Sequence, residues 1–551
     1  MASSTKTLES RGDTGIAVEN AATDGAHQPL CRERQCAALV TSVINENTAD
    51  ERDDNEHGEF FAIEQHLSFG VYQVFAAGMF VAYYLGTQYV QSHMAFSGAK
   101  PGVRCTALHA NNQTWTTNAL SMDAACALMS SNRSKFCSNY TLHSDDFYSI
   151  VIEWNLICDR MSYVYAVTTG QMIGVLLGAA LFGRLSDRFG RKRILACTWT
   201  TVLALQTMSA FSVNWVVFGV FRFALGLFAG GQLTSGYVLF CEYLAAAYRY
   251  RMLATVEFCL PVVLHTLTAY AAPHWSRLSL VGALVQLPFL LLMLTFSEES
   301  PRWLLQRARV TEAIRGLVKI NRWNRTQTTE LKLEATSGPP FSYLFYTSTY
   351  AKYTIALAVM WFTISCTSYT IVFNMGNLAG SIYWNMAIYG LCGHAAQQAC
   401  NLVDYFFHSI GRRSILAVLC SLLTVSLVVI TALEGLAVTV ADDDCYGIGM
   451  QVLYVFAGAI CCPLWMLIYL LPAELYPTPM RNFANGVFSA CARVGSALAP
   501  QVLLLGDFWP AARSALPAAA VLLAGALCLC WLDETKNKAL PEHMPPKNTA
   551  H

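Results

Sequence analysis

The chain has 551 residues, of which 54% are hydrophobic and only 13% charged, and its mean hydropathy of +0.38 is too high for a soluble protein of that length. Most of it is expected to lie in lipid. The formal net charge is zero and no long basic run exists, so the electrostatic field of a nucleic-acid binder is missing.

In chain order, residues 1–58 are polar and lack an apolar signal core, which predicts a disordered cytosolic tail. Apolar stretches long enough to cross about 30 Å of hydrocarbon, roughly 20 residues each, then follow. They are Phe69 to Ser92, Tyr163 to Leu185, Ile194 to Ser212, Val216 to Tyr243, Met252 to Ala271 and Leu278 to Ser297. A second group comprises Tyr353 to Asn374, Tyr383 to Phe407, Ser414 to Leu433, Ile448 to Leu471, Phe483 to Leu505 and Ala515 to Leu532. The fold class is therefore an all-α polytopic membrane protein of about twelve spans: an N-terminal half over 59–297, an inter-half loop over 298–352, a C-terminal half over 353–532, and a tail over 533–551.

Arg188, Arg191, Lys192, Arg193, Arg249, Arg251, Arg412, Arg413 and Arg481 all fall in alternate short links. By the positive-inside rule those links, the inter-half loop and both termini are cytosolic. The loop 96–161 is then external. It holds Cys105, Cys126, Cys137 and Cys158, which predict two disulfides in one of three pairings, and three glycosylation sequons at Asn112, Asn132 and Asn139. A fourth sequon at Asn324 lies on the cytosolic side and is read as a chance match. The remaining cysteines mostly sit inside apolar stretches as small hydrophobes.

Three charged signatures recur in both halves. Gly183-Arg-Leu-Ser-Asp187-Arg188-Phe-Gly190-Arg191-Lys192-Arg193 is echoed by Gly411-Arg412-Arg413. Glu242 with Arg249 is echoed by Glu474 with Arg481, both seven residues apart, and Glu299-Ser-Pro-Arg302-Trp by Asp533-Glu534-Thr-Lys536. Carboxylates and guanidinium groups at helix ends can bridge neighbouring helices and the two halves, forming an inner gate that breaks when the halves rock. Snorkelling of each arginine at a helix end is the plainer alternative.

The Gly183 to Arg193 string resembles the signature of the major facilitator superfamily, and Pro-Ala-Glu474-Leu-Tyr-Pro-Thr with Glu299-Ser-Pro-Arg-Trp-Leu-Leu is similar to its sugar-porter-related branch. Glu153-Trp-Asn-Leu-Ile-Cys158-Asp, after a long first loop, resembles the organic cation, anion and carnitine transporters of solute carrier family 22. The stretch from Arg481 to Pro500 is similar to the carnitine and anion group, which carries arginine at Arg493 where typical cation transporters carry aspartate. The resemblance implies a plasma-membrane transporter of small organic ions, with a carboxylate-bearing zwitterion or anion ahead of a simple cation. A transport-inactive receptor or accessory protein of the same fold is the other class. Gly393, Ala395 and Ser368 depart from the family pattern.

A lone arginine at a span centre costs about 2.5–3.5 kcal/mol on translocon scales, so Arg493 is expected either to face a substrate carboxylate or to pair with Glu257 in the fifth span. Trp361, Tyr369 and Phe373 lie at four-residue steps on one helical face, and Trp361 and Tyr369, with Gln232 and Tyr237, are candidates to cage an onium group. Packing is the bland reading for most of these rings. Arg222, followed by Gly226 and Gly230, is read as a packing residue beside a close helix contact. His265 and His394 are read as packing residues rather than proton carriers. No phosphate loop, zinc-protease motif or cofactor motif is present in the sequence, so neither ATP nor a metal nor an enzymatic activity is expected. Any coupling to sodium or protons is left open.

Overall fold

The computed structural model describes residues 69–108, 114–116, 120, 122–130, 139–144, 146–244, 259–326, 347–407, 409–440, 444–476 and 478–536. The long helices of the N-terminal half are α1 (Val71–Gln91), α5 (Met161–Phe189), α6 (Arg191–Ser209), α7 (Trp215–Tyr243), α8 (Cys259–Ala271) and α9 (Trp275–Phe296). Those of the C-terminal half are α12 (Ser348–Asn374), α13 (Ile382–Phe406), α14 (Arg412–Val440), α15 (Asp444–Leu475), α16 (Thr478–Phe508) and α17 (Ala512–Trp531). Each falls on one predicted span. Among the described residues eight of these helices are long and apolar enough to cross a membrane, and α8 is a shorter apolar helix.

The other three, α1, α6 and α13, carry more polar side chains, and these are turned into the bundle. Gln73, Gln88, Gln91, Gln206, Asn385 and Gln397 are all buried. Gln286 donates to Gln206 at 3.1 Å and Asn385 to the Met375 carbonyl at 3.1 Å, which removes the penalty a lone amide would meet in lipid.

Glycines set the tightest helix contact. A Cβ on Gly178 of α5 would sit 1.8 Å from the Leu227 carbonyl oxygen, and one on Gly226 or Gly230 of α7 would sit 2.1 or 2.3 Å from α5 carbonyls. Only hydrogen side chains allow this approach. The same device recurs between α12 and α16, where a Cβ on Gly495 would lie 2.2 Å from the Phe362 carbonyl. The halves meet along α5 with α16 and along α8 with α13.

The loop between α1 and α5 is not featureless. It holds short helices α2 (His93–Ser97), α3 (Met122–Ser130) and α4 (Ile150–Glu153), and strands β1 (Gly102–Leu108), β2 (Thr114–Thr116) and β3 (Asn139–His143). The strands form an antiparallel sheet in the order β2-β1-β3, with Cys105 opposite Tyr140. An all-α reading therefore needs this small sheet added. Cys126 and Cys158 are joined with Cα atoms 5.5 Å apart, and Cys105 is also disulfide-bonded. Cys137, Asn112 and Asn132 lie outside the described residues. Asn139 is exposed at the start of β3.

The inter-half loop also contains structure that hydropathy passes over: α10 (Pro301–Gln306), begun by Ser300 accepting from the Trp303 N–H at 3.2 Å, and α11 (Val310–Asn324). Asn324 is engaged, not free: it accepts from the Tyr72 N–H at 2.9 Å and donates to Gln73 at 2.8 Å, clamping the start of α1.

Candidate functional site

Arg493 sits midway along α16 and is only 7% exposed. Its Nε has no hydrogen-bond partner, and among the described residues it makes no ion pair; Glu257 lies outside them. The Tyr369 hydroxyl from α12 faces the Arg493 guanidinium and also donates to Oε1 of Gln91 on α1. Gln91 Nε2 is likewise unpartnered. Three helices from both halves thus bring two unused donors to one place, an arrangement that suits an acceptor-only group such as a carboxylate.

The aromatic candidates form a second layer. Trp361 is fully buried and donates its indole N–H to the Ile468 carbonyl at 3.1 Å. Its ring meets Tyr469 at 4.4 Å and Trp465 at 5.9 Å. Tyr237 from α7 meets the same Tyr469 at 5.6 Å, so Tyr237 and Trp361 are joined through a residue that the sequence did not single out. Tyr469 and Trp465 share one face of α15 at a four-residue step, the pattern that flagged α12. Gln232 stands apart: it is fully buried and donates to the Tyr83 carbonyl at 3.1 Å, which ties α7 to α1 away from Arg493. None of the predicted substrate residues lines the cavity of about 310 Å³ between α12, α16 and α17, whose walls include Phe362, Cys366, Gln501 and Pro517.

Contacts between halves cluster at the end bearing the sheet. Besides Tyr369 with Gln91, Lys100 pairs with Asp507 at 3.2 Å, and Tyr383 donates to the Asp146 carbonyl at 2.9 Å. Gln501 of α16 donates to Thr169 of α5 at 2.7 Å.

At the opposite, basic end the repeated charges assemble, but within each half. Arg191 pairs with Asp187 and lies 3.5 Å from Glu242, while Glu299 accepts from the Lys192 N–H at 2.9 Å. In the C-terminal half Arg412 lies 3.1 Å from Glu474 and 3.7 Å from Asp404. Lys536 pairs with Asp404 at 3.0 Å and Thr535 donates to Glu474 at 2.6 Å. Glu534 accepts from the Arg412 N–H at 2.8 Å and the Arg413 N–H at 3.1 Å. Partial burial works to raise its carboxyl, but the backbone donors of Lys536, Arg412, Arg413 and Thr535 outweigh that and hold it below the usual range.

Of the two kinds of bridge expected, these pairs make the one between neighbouring helices, and among the described residues none of them spans the two halves. They fasten helix ends inside one half, because donors and acceptors on consecutive helices of a half already satisfy each other. Arg188 is exposed beside the Phe189 ring and makes no ion pair among the described residues. Arg249 and the Arg481 side chain lie outside them.

Arg222 is fully buried, 4.8 Å from the Phe218 ring and 3.4 Å from the Ser279 hydroxyl. His265 packs between Tyr89 and Phe96, with centroids at 4.8 and 5.3 Å. His394 lies on α13.

Comparison with known proteins adds the following. The family model described as Major Facilitator Superfamily matches residues 160–500. Solute carrier family 22 member 16 of Homo sapiens is 32% identical over 411 residues, covering 71% of this chain and 68% of that protein. Solute carrier family 22 member 1 of Bos taurus is 33% identical over 412 residues, covering 72% and 69%. Among solved structures, the xylose transporter XylE of E. coli in a partially occluded inward-open conformation superposes with a TM-score of 0.56 at 15% identity, covering 85% of this chain and 100% of that one. At that identity the likeness concerns the fold.

Proposed function

Because the chain belongs to the major facilitator superfamily and, within it, to solute carrier family 22, we propose that it carries small organic ions bearing a carboxylate, zwitterions or anions, across the plasma membrane by alternating access. The observation that supports this most is Arg493, a buried mid-span cation with no carboxylate beside it among the described residues and an unused Nε donor. A substrate carboxylate would supply the missing charge, and its removal from water would be offset by the guanidinium and the Tyr369 hydroxyl. The aromatic layer of Trp361, Tyr237 and Tyr469 offers ring faces to an onium group on the same substrate.

The basic end faces the cytosol and the disulfide-bonded loop faces outside, as positive-inside bias and oxidised cysteines favour. The Gln91–Tyr369 and Lys100–Asp507 contacts then close the outer side, and rocking must break them.

Uptake of labelled carnitine, a simple organic anion and a simple organic cation into vesicles tests the reading. Carnitine or the anion should enter, and Arg493→Ala should weaken their uptake about 10- to 100-fold in kcat/KM, the value of a lost charge-assisted bond of about 1.5–3 kcal/mol. Arg493→Lys should restore part of it. Cation uptake alone, or full anion uptake by a folded Arg493→Ala protein, would overturn the carboxylate assignment.

A further inference from the structure

Between residues 302 and 325 the chain carries seven basic residues and one acid. Several of these cations are engaged: Arg309 pairs with Glu312 at 2.6 Å, Arg307 donates to the Asp187 carbonyl at 2.8 Å, and Lys319 pairs with Glu298. Arg315, Arg322 and Arg325 are exposed and make no ion pair among the described residues. Arg315, Lys319 and Arg322 stand at i, i+4 and i+7, one face of α11, and Arg325 continues that face where the helix ends in a left-handed turn with φ 55°. The opposite face, with Ala313, Gly316, Leu317 and Ile320, is buried. With no ion pair among the described residues, these three arginines present a cationic face to an anionic partner.

The position of the stripe identifies its partner. Trp323 packs on Phe296, the last residue of α9, at 5.9 Å, and on Tyr72 and Phe75, in the first turns of α1, at 5.7 and 5.4 Å. Both α9 and α1 occupy predicted spans, so the end of α11 is pinned at the boundary where the hydrocarbon stops. Phe296 is itself exposed on the outer surface of the bundle. Tryptophan at that level, beside cations on the exposed face of the same helix, is the arrangement that meets lipid headgroups.

We propose that Arg315, Arg322 and Arg325, on the exposed face of α11 and at its end, bind the headgroups of anionic phospholipids in the leaflet at the basic end. Bound lipid holds α11 down, and Asn324 passes that restraint to the first turn of α1. The inference rests on the membrane-spanning fold and not on the substrate reading.

The full chain is reconstituted in nanodiscs of phosphatidylcholine alone and of equal parts phosphatidylcholine and phosphatidylserine, and lipid retained on extraction is counted by native mass spectrometry. Phosphatidylserine should be retained over phosphatidylcholine, and high salt should weaken the preference. Each cation near a charged surface contributes about fivefold, so Arg315→Gln/Arg322→Gln/Arg325→Gln should lower retention about 100-fold. The single Arg325→Gln change, with little risk to folding, should lower it about fivefold. The triple lysine variant should retain lipid as the natural chain does. Equal retention by natural and triple-glutamine chains overturns the proposal, as does no preference in the natural chain. Binding of soluble phosphoserine or an acidic peptide in phosphatidylcholine discs, as tight as that of the lipid, overturns the membrane as the source. Substrate uptake measured in neutral lipid is independent of every one of these outcomes.

Discussion

The basic ends of the two halves carry the same charges in different backbone frames. In the N-terminal half the aspartate and arginine are four residues apart across the Gly190 turn, whose φ of 111° admits the sharp reversal between α5 and α6. In the C-terminal half Asp404 precedes Arg412 by eight residues, because α13 ends at Phe406 and an irregular link leads into α14. Both arginines nonetheless reach a glutamate on the fourth helix of their half, and both clusters are closed by a glutamate from the segment after the sixth. The supports differ. Asp187 is 67% exposed and leans on water, whereas Asp404 is 18% exposed and is shared by Arg412 and Lys536. The aspartate of one half has a single arginine and solvent, that of the other two cations, while Glu242 is supported by Ser300 and Arg302 as well as Arg191.

The largest expected effect probes the glycine contacts that precede these clusters. Gly178→Leu drives a side chain into the Leu227 carbonyl and should cost on the order of 3 kcal/mol or more, seen as loss of a monodisperse species on size exclusion. Gly183→Ala, whose nearest neighbour is 3.6 Å away, should be tolerated. Arg191→Met leaves Glu242 with Ser300 and Arg302 but takes away the cation paired with Asp187 and should cost about 3 kcal/mol, whereas Arg412→Met should cost about 2 kcal/mol because Lys536 still pairs with Asp404. Equal losses of thermal stability would erase the distinction between the halves. Asn324→Ala frees the Tyr72 N–H and should cost about 1–2 kcal/mol, with faster amide exchange in the first turn of α1 and no change in the C-terminal half. The smallest effect is a pH dependence. Since the folded Glu534 carboxyl is held low, its contribution is complete above the ordinary carboxylate range and disappears as pH falls through the depressed folded value. The melting-temperature gap between the natural chain and Glu534→Gln should therefore narrow on acidification.

Hydropathy located all the long helices, since twenty apolar residues in a row leave little choice. The charge strings located Arg191, Glu242, Arg412 and Glu474, but Asp404 escaped because matching assumed the spacing of the first half. Tyr469, Trp465 and Gln91 escaped for another reason: their role arises from contacts across helices remote in sequence. The small sheet and α11 lie in segments too polar for a hydropathy scan. Tyr369 and Arg493 were both singled out, and the structure places them side by side; Gln232 was singled out too, and it serves to join α1 and α7.

The Cys126–Cys158 bond has a mechanical consequence. Cys158 lies three residues before α5, the helix that runs along the boundary with α16. The covalent tie fastens α3, which packs on β1, close to the root of the 29-residue α5. A swing of α5 should then pull on Lys100 and Asp146, which touch the opposing half, and a reductant that opens the bond should loosen that pull.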